Sequence, residues 1–219
     1  GSFMDAHPNV GLTYSRAITL NPCGTTLPAI VDDPAKTQWQ VLSGLEFITL
    51  SGSRNIVPTP TAVVRTKLQQ ELGGYRPELP HTGDFEMWLR LAAYSAVGVS
   101  HAYHAVYRRH ANNMSWYYFN RSCLLDIRQR KEAFDCFMEA CREILPDAED
   151  TYRRFSYLLA CDAVAAASGA FSEGDMEVSG QLSALAFSLC PQVKRSVVWS
   201  KLTCKRLLGR SAWCALQSA

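Results

Sequence analysis

No run in this 219-residue chain comes near the roughly 18 consecutive apolar residues of a membrane-spanning helix. Charge is nearly balanced as well. Twenty-two Lys and Arg against 20 Asp and Glu leave a formal net charge of +2, which gives no reason to expect nucleic acid as a partner. Eight cysteines are present (Cys23, Cys123, Cys136, Cys141, Cys161, Cys190, Cys204 and Cys214), but they form no CxxC pair and show no Cys/His spacing of a zinc site. Five fall within helical-looking stretches and Cys190 directly follows one, and in such places a thiol is a small apolar side chain. They read as reduced cysteines of a cytoplasmic protein rather than as a disulfide framework. Acid is missing altogether after Glu177.

What is present suffices for a sizeable core: 47% of residues are hydrophobic, enough for one large domain or two small ones. The opening Gly-Ser reads as a tag remnant, and "FMDAHPN" as the end of a helix, so the chain is expected to be cut from a longer protein. Val10 to Ser15 reads as a strand, Asn21 to Lys36 as a loop, and Gln38 to Leu50 as a short helix despite Gly44. Two prolines exclude helix from "RNIVPTP". "TAVVRT" is strand-like, and "KLQQEL" is one or two helical turns stopped by the glycines of "GGY". Thr82 or Asp84 can cap the helix "FEMWLRLAAY", which has a broad apolar face. "VGVSHAYHAVY" alternates and reads as a strand.

The character changes near Ser115. Trp116 to Arg142, Tyr152 to Ala170, Glu177 to Leu189 and Val193 to Leu208 read as helices, with "LPDAED" and Pro191 as breaks. The expected fold class is therefore α/β over residues 1–115 followed by an all-α region over 116–219. "ASGAFSEGDMEVSGQLSALAFSLCP" resembles one helix-turn-helix unit of a tetratricopeptide-like repeat, but no second copy follows at a fixed period, and a plain bundle is the reading kept.

Three blocks, "TAVVRTKLQQELGGYRPEL", "TGDFEMWLRLA" and "YRRHANNMS", stand in an order and spacing that resemble the C-terminal half of family-2 glycosyltransferases, over about Val10 to Ser115. The resemblance implies part of a GT-A fold, with a Rossmann-like mixed sheet. It also implies inverting, metal-dependent transfer of a sugar from a nucleotide-sugar donor to a glycan or lipid-linked acceptor. In that family the acid before the "WLRL" helix is the catalytic base, which maps onto Asp84. Where the family often has Glu-Asp, this chain has Gly83-Asp84. The histidine ending "YRRH" maps onto a residue that helps hold a divalent metal (Mg or Mn) or the donor diphosphate, which makes His110 the metal candidate.

Chemistry leads to the same assignments. Inverting transfer needs a base to take the acceptor hydroxyl proton, and a carboxylate at a helix start can serve. A plainer role for Asp84 is a helix cap, worth about 1 kcal/mol, and both roles can coexist. Arg108 and Arg109 offer guanidinium groups suited to diphosphate oxygens, although neighbours on a strand point to opposite faces. His81, in the loop before Asp84, is placed to touch acceptor. Glu86, one step away on the acceptor side, is the weaker base candidate and reads as either a solvated group or one that supports the site from behind, and His101 and His104 read as satisfied core or sheet residues.

The nucleotide-binding βαβ units and the Asp-x-Asp motif that the resemblance implies would precede Val10. "VDDP" (Val31 to Pro34) comes after that strand and reads as a turn. The chain is thus expected to hold the acceptor half alone, to be inactive by itself, and to self-associate through an exposed sheet edge. The alternative is a non-catalytic helical interaction module that carries a truncated transferase remnant. At the C-terminal end, Lys194, Arg195, Lys201, Lys205, Arg206 and Arg210 are interleaved with Trp and Leu. The favoured reading is a bundle helix with its charges in water. The sharper one is peripheral contact with anionic lipid at the inner face of the membrane.

Overall fold

The computed structural model describes residues 2–20, 38–109, 123–210 and 212–213. The chain divides into two compact units, Gly1–Asn113 with Glu132–Ala148, and Met114–Lys131 with Glu149–Ala219. The architecture is a mixed four-stranded sheet with helices, followed by a helical region. The division is not a single cut near Ser115, because residues 132–148 return to the first unit.

In the first unit, β1 (Val10–Leu20), β2 (Trp39–Leu42), β3 (Val63–Val64) and β4 (Ala96–Arg108) lie in the order β2-β4-β1-β3. β1 and β4 run parallel, from Val10 opposite Ala96 to Leu20 opposite Arg108, and the two edge strands are antiparallel to them. The front halves of the central pair, Val10 to Ser15 and Val97 to Ser100, are buried. They are continuous runs of apolar and small residues, as strands covered on both faces require. From His101 onward β4 has no buried residue, and His101 and His104 are exposed sheet positions. α1 (Ser2–Ala6) lies on the sheet with Phe3 stacked on Trp39 at 4.6 Å. A Cβ on Gly98 would come within 2.6 Å of the Phe3 ring, so glycine admits that helix.

The helix read over Gln38 to Leu50 is divided. Trp39–Leu42 pairs with β4, and α2 (Gly44–Ser51) begins at a capping box. Ser43 Oγ accepts from the Glu46 N–H at 3.2 Å, and the Glu46 carboxylate accepts from the Ser43 N–H at 2.7 Å. This S-x-x-E pattern marks the true start. Gly44 is needed there, since a Cβ would lie 1.7 Å from the Ala92 carbonyl oxygen of the neighbouring helix. α3 (Thr66–Leu72) ends at Gly73, φ +88°, as the sequence suggests. α4 (Gly83–Tyr94) is buried from Phe85 through Ala92, which makes it the central helix of the unit rather than a one-faced one.

The second unit is built on α5 (Leu124–Cys141), whose latter half belongs to the first unit, then α6 (Ala148–Glu173), α7 (Met176–Leu189) and α8 (Val197–Leu208). α6 is one helix of 26 residues, long and apolar enough by length and composition to cross a membrane. Half of its apolar window is buried within the structure, through Phe155, Leu159, Ala163, Val164 and Ala167, as in the core helix of a bundle. Arg130 on α5 meets Asp126 at 3.0 Å and Asp162 of α6 at 2.8 Å. α7 is capped by Asp175, whose carboxylate accepts from the Val178 N–H at 2.9 Å. The helix expected from Val193 starts at Val197 instead. Pro191–Arg195 forms a 3-10 turn, and Ser196 caps the helix by accepting from the Trp199 N–H.

Gly44→Ala is expected to destabilise the chain by about 3 kcal/mol, the upper end for overpacking, whereas Ser43→Ala should cost about 1 kcal/mol, the worth of a cap. Urea unfolding midpoints measure both, and the reverse order would contradict the close approach of α2 to α4.

Candidate functional site

Asp84 sits in the first turn of α4, where the helix dipole favours negative charge. It does not cap the helix. Thr82 occupies the N-cap position, and its side chain makes no capping hydrogen bond. Instead, Asp84 Oδ2 accepts from Asn55 Nδ2 at 2.9 Å and from the Thr59 hydroxyl at 2.8 Å, while Oδ1 accepts from the Phe85 N–H at 2.7 Å. The donors come from the proline-rich segment that sequence patterning leaves as irregular. Pro58 precedes the 3-10 turn Thr59–Thr61 and Pro60 lies within it, and Thr61 ties that turn to the sheet by accepting from the Ser15 N–H at 3.1 Å. The half-buried carboxylate is therefore held from the sheet side. Among the described residues, three of its roughly four lone-pair positions are filled, leaving one on Oδ1. Tyr75 stands close by. Burial, and then the Asp84 charge, push its phenol above the ordinary value.

Glu86 is not solvated: its side chain has 0% exposure, which leaves the reading of a supporting group. Its Oε1 accepts from Arg76 Nε at 3.0 Å and Arg90 Nε at 2.9 Å, and Oε2 accepts from Arg90 Nη2 at 3.0 Å. A helix buried all round cannot hold an unpaired carboxylate, so two guanidinium groups converge on it. Arg90 also donates to the carbonyls of Leu72 and Gly74, which end α3 and begin the loop towards Tyr75. Cys136 and Cys141 of α5 feel the same charges. Burial first, with Glu86 adding to it, pushes the Cys141 thiol up to about 11.

The remaining candidates are not drawn together. His81 is half-buried in the turn just before α4. Arg108 and Arg109 are exposed at the end of β4, where the Arg109 N–H donates to the Leu20 carbonyl. Arg108 pairs with Leu20, five residues beyond Ser15 on β1, or about 17 Å further along the strand than the Thr61 anchor. His110 and the "VDDP" segment lie outside the described residues. No three His, Cys, Asp or Glu that could hold a metal gather among the described residues, and Glu86 is held by its arginines. The described residues do not by themselves make a metal site, so that expectation stays with His110.

Glu86→Gln, which leaves Arg76 and Arg90 without their counter-charge, should lower stability by about 3–5 kcal/mol, the range for breaking a buried pair. Replacing Glu86 and Arg90 together with Leu and Met should recover much of that loss. Thermal or urea unfolding decides, and a Glu86→Gln protein as stable as the parent would contradict the buried triad.

Compared with protein-family models, with curated proteins and with solved structures, the chain finds no match in any of the three.

Proposed function

We propose that the chain is the acceptor-side half of an inverting glycosyltransferase of the family-2, GT-A type, with Asp84 as the general base. The observation that carries this reading is the Asp84 carboxylate itself. It is fixed on Oδ2 by Asn55 and Thr59, lies at a helix start, and keeps one lone pair of Oδ1 for an incoming hydroxyl. In the transfer, the acceptor oxygen forms the new bond to the anomeric carbon as the bond to the diphosphate breaks. The hydroxyl proton passes to Asp84, and the leaving diphosphate takes the electron pair. Arg108 and Arg109, exposed at the end of β4, offer guanidinium groups suited to the diphosphate of a nucleotide sugar. In this reading the nucleotide-binding half comes from sequence outside this chain, and a divalent metal would be met at His110.

In the complete protein, Asp84→Asn should lower sugar transfer by about 10²–10⁴-fold with donor affinity nearly unchanged. Asn55→Ala and Thr59→Val, which loosen the base without removing it, should each reduce kcat by about tenfold. Transfer assays with a panel of nucleotide sugars, paired with calorimetric donor binding, read both quantities. An Asp84→Asn protein that keeps more than about a third of parental turnover would remove Asp84 from the base role.

A further inference from the structure

Three bases of α8 and its end reach back to the neighbouring helices while its large apolar side chains are exposed. Lys205 Nζ donates to Ser168 Oγ at 2.8 Å and Ser172 Oγ at 2.9 Å. Arg206 Nη2 donates to Ser179 Oγ and Ser183 Oγ, both at 2.8 Å, and Arg210 Nε donates to the Ser172 carbonyl at 3.0 Å. Three bases are thus directed onto α6 and α7, and Leu202 alone carries the buried apolar contact of α8. The opposite face shows what a soluble helix usually hides. Val197 is 70% exposed, Leu207 82% and Leu208 50%. Positions 197, 201, 204 and 208 fall on one stripe at helical spacing, with Leu207 at its border. Lys201 and Cys204, on the same stripe, are exposed too.

We propose that this outer face of α8 docks on an anionic lipid membrane. Charge complementarity selects that occupant. Six of the 22 Lys and Arg, and none of the 20 Asp and Glu, lie after Glu177, so the last 42 residues carry +6 and the rest of the chain −4. Among the described residues these bases meet hydroxyls and carbonyls rather than carboxylates, so their charge is hydrogen-bonded there but not neutralised. Lys201, in the middle of the apolar stripe, can extend its head to phosphate while its stem lies along the surface. Lys194 covers the Phe187 ring at 4.0 Å beside exposed Arg195 and adds charge at the front of α8. A second copy of this face would set Lys194, Arg195 and Lys201 against the same three bases. A nucleic-acid backbone would use the bases but leave three apolar side chains in water. An anionic bilayer surface takes both features at once. The inference stands on the second unit and does not depend on the role of Asp84.

Co-sedimentation of the whole chain with vesicles tests it. Vesicles of phosphatidylcholine with about 30% phosphatidylglycerol should retain the protein at low salt, and pure phosphatidylcholine should not. High salt should release it. Lys194→Gln/Arg195→Gln/Lys201→Gln should weaken partitioning by about a hundredfold, at about fivefold per base. Leu207→Ser/Leu208→Ser should weaken it at least tenfold with the melting temperature unchanged, because both side chains are exposed in the folded chain. The proposal is overturned by any of three results: no binding to anionic vesicles at low salt, binding indifferent to the leucine variant, or self-association that the leucine variant abolishes while lipid binding is absent.

Discussion

The first unit depends on the burial of one carboxylate. Glu86 lies at the centre of a helix whose neighbours Phe85, Met87, Leu89 and Leu91 are all core residues, and it has no route to water. The position is tolerable only because Arg90, one turn on, and Arg76, from the preceding loop, bring two positive charges to it. Arg90 then uses its other donors on the carbonyls that close α3. One ion cluster therefore fixes the pitch of α4, the end of α3 and the loop that carries Tyr75. Asp84, two residues before Glu86, inherits that rigidity. The plain half-exposed acid that could do chemistry is placed by the buried one that cannot.

Much of this was legible in the sequence, for local reasons. The stop at Gly73 and the strand β4 follow from patterns of neighbouring residues, and so does the capping box at Ser43 and Glu46, which the reading of Gln38 to Leu50 as one helix passes over. Asp84 was singled out by its place at the front of α4. Its partners were not, because Asn55 and Thr59 lie 29 and 25 residues away and only the sheet brings them close. The depth of Glu86 was not legible for a related reason. A charged residue in a first helical turn is usually solvated, and the four-residue step to Arg90 signals pairing but says nothing of depth.

The C-terminal helices show the same limit from the other side. Counting bases, tryptophans and leucines gave two readings of α8, and each supposed that the charges face outward. Lys205, Arg206 and Arg210 turn inward instead, because serines four apart on α6 and α7 present rows of hydroxyls and carbonyls. The spacing of Ser168 with Ser172, and of Ser179 with Ser183, was visible in the sequence. What those rows receive depends on which helix packs beside them.

The parallel pairing of β1 with β4 governs how the chain assembles in time. β1 is complete at Leu20, yet its partner begins at Ala96, so roughly 80 residues must be made before the central pair can form. At a synthesis rate of about 5–20 residues per second, β1 waits for roughly 4–16 seconds with its apolar positions unmatched. The helices of the second unit close over short spans and carry no such delay. The residues at 132–148 that complete the first unit emerge later still. The first unit therefore stays incomplete from the emergence of β1 until Ala148 has been added, and its early strand is the segment most in need of protection while it waits.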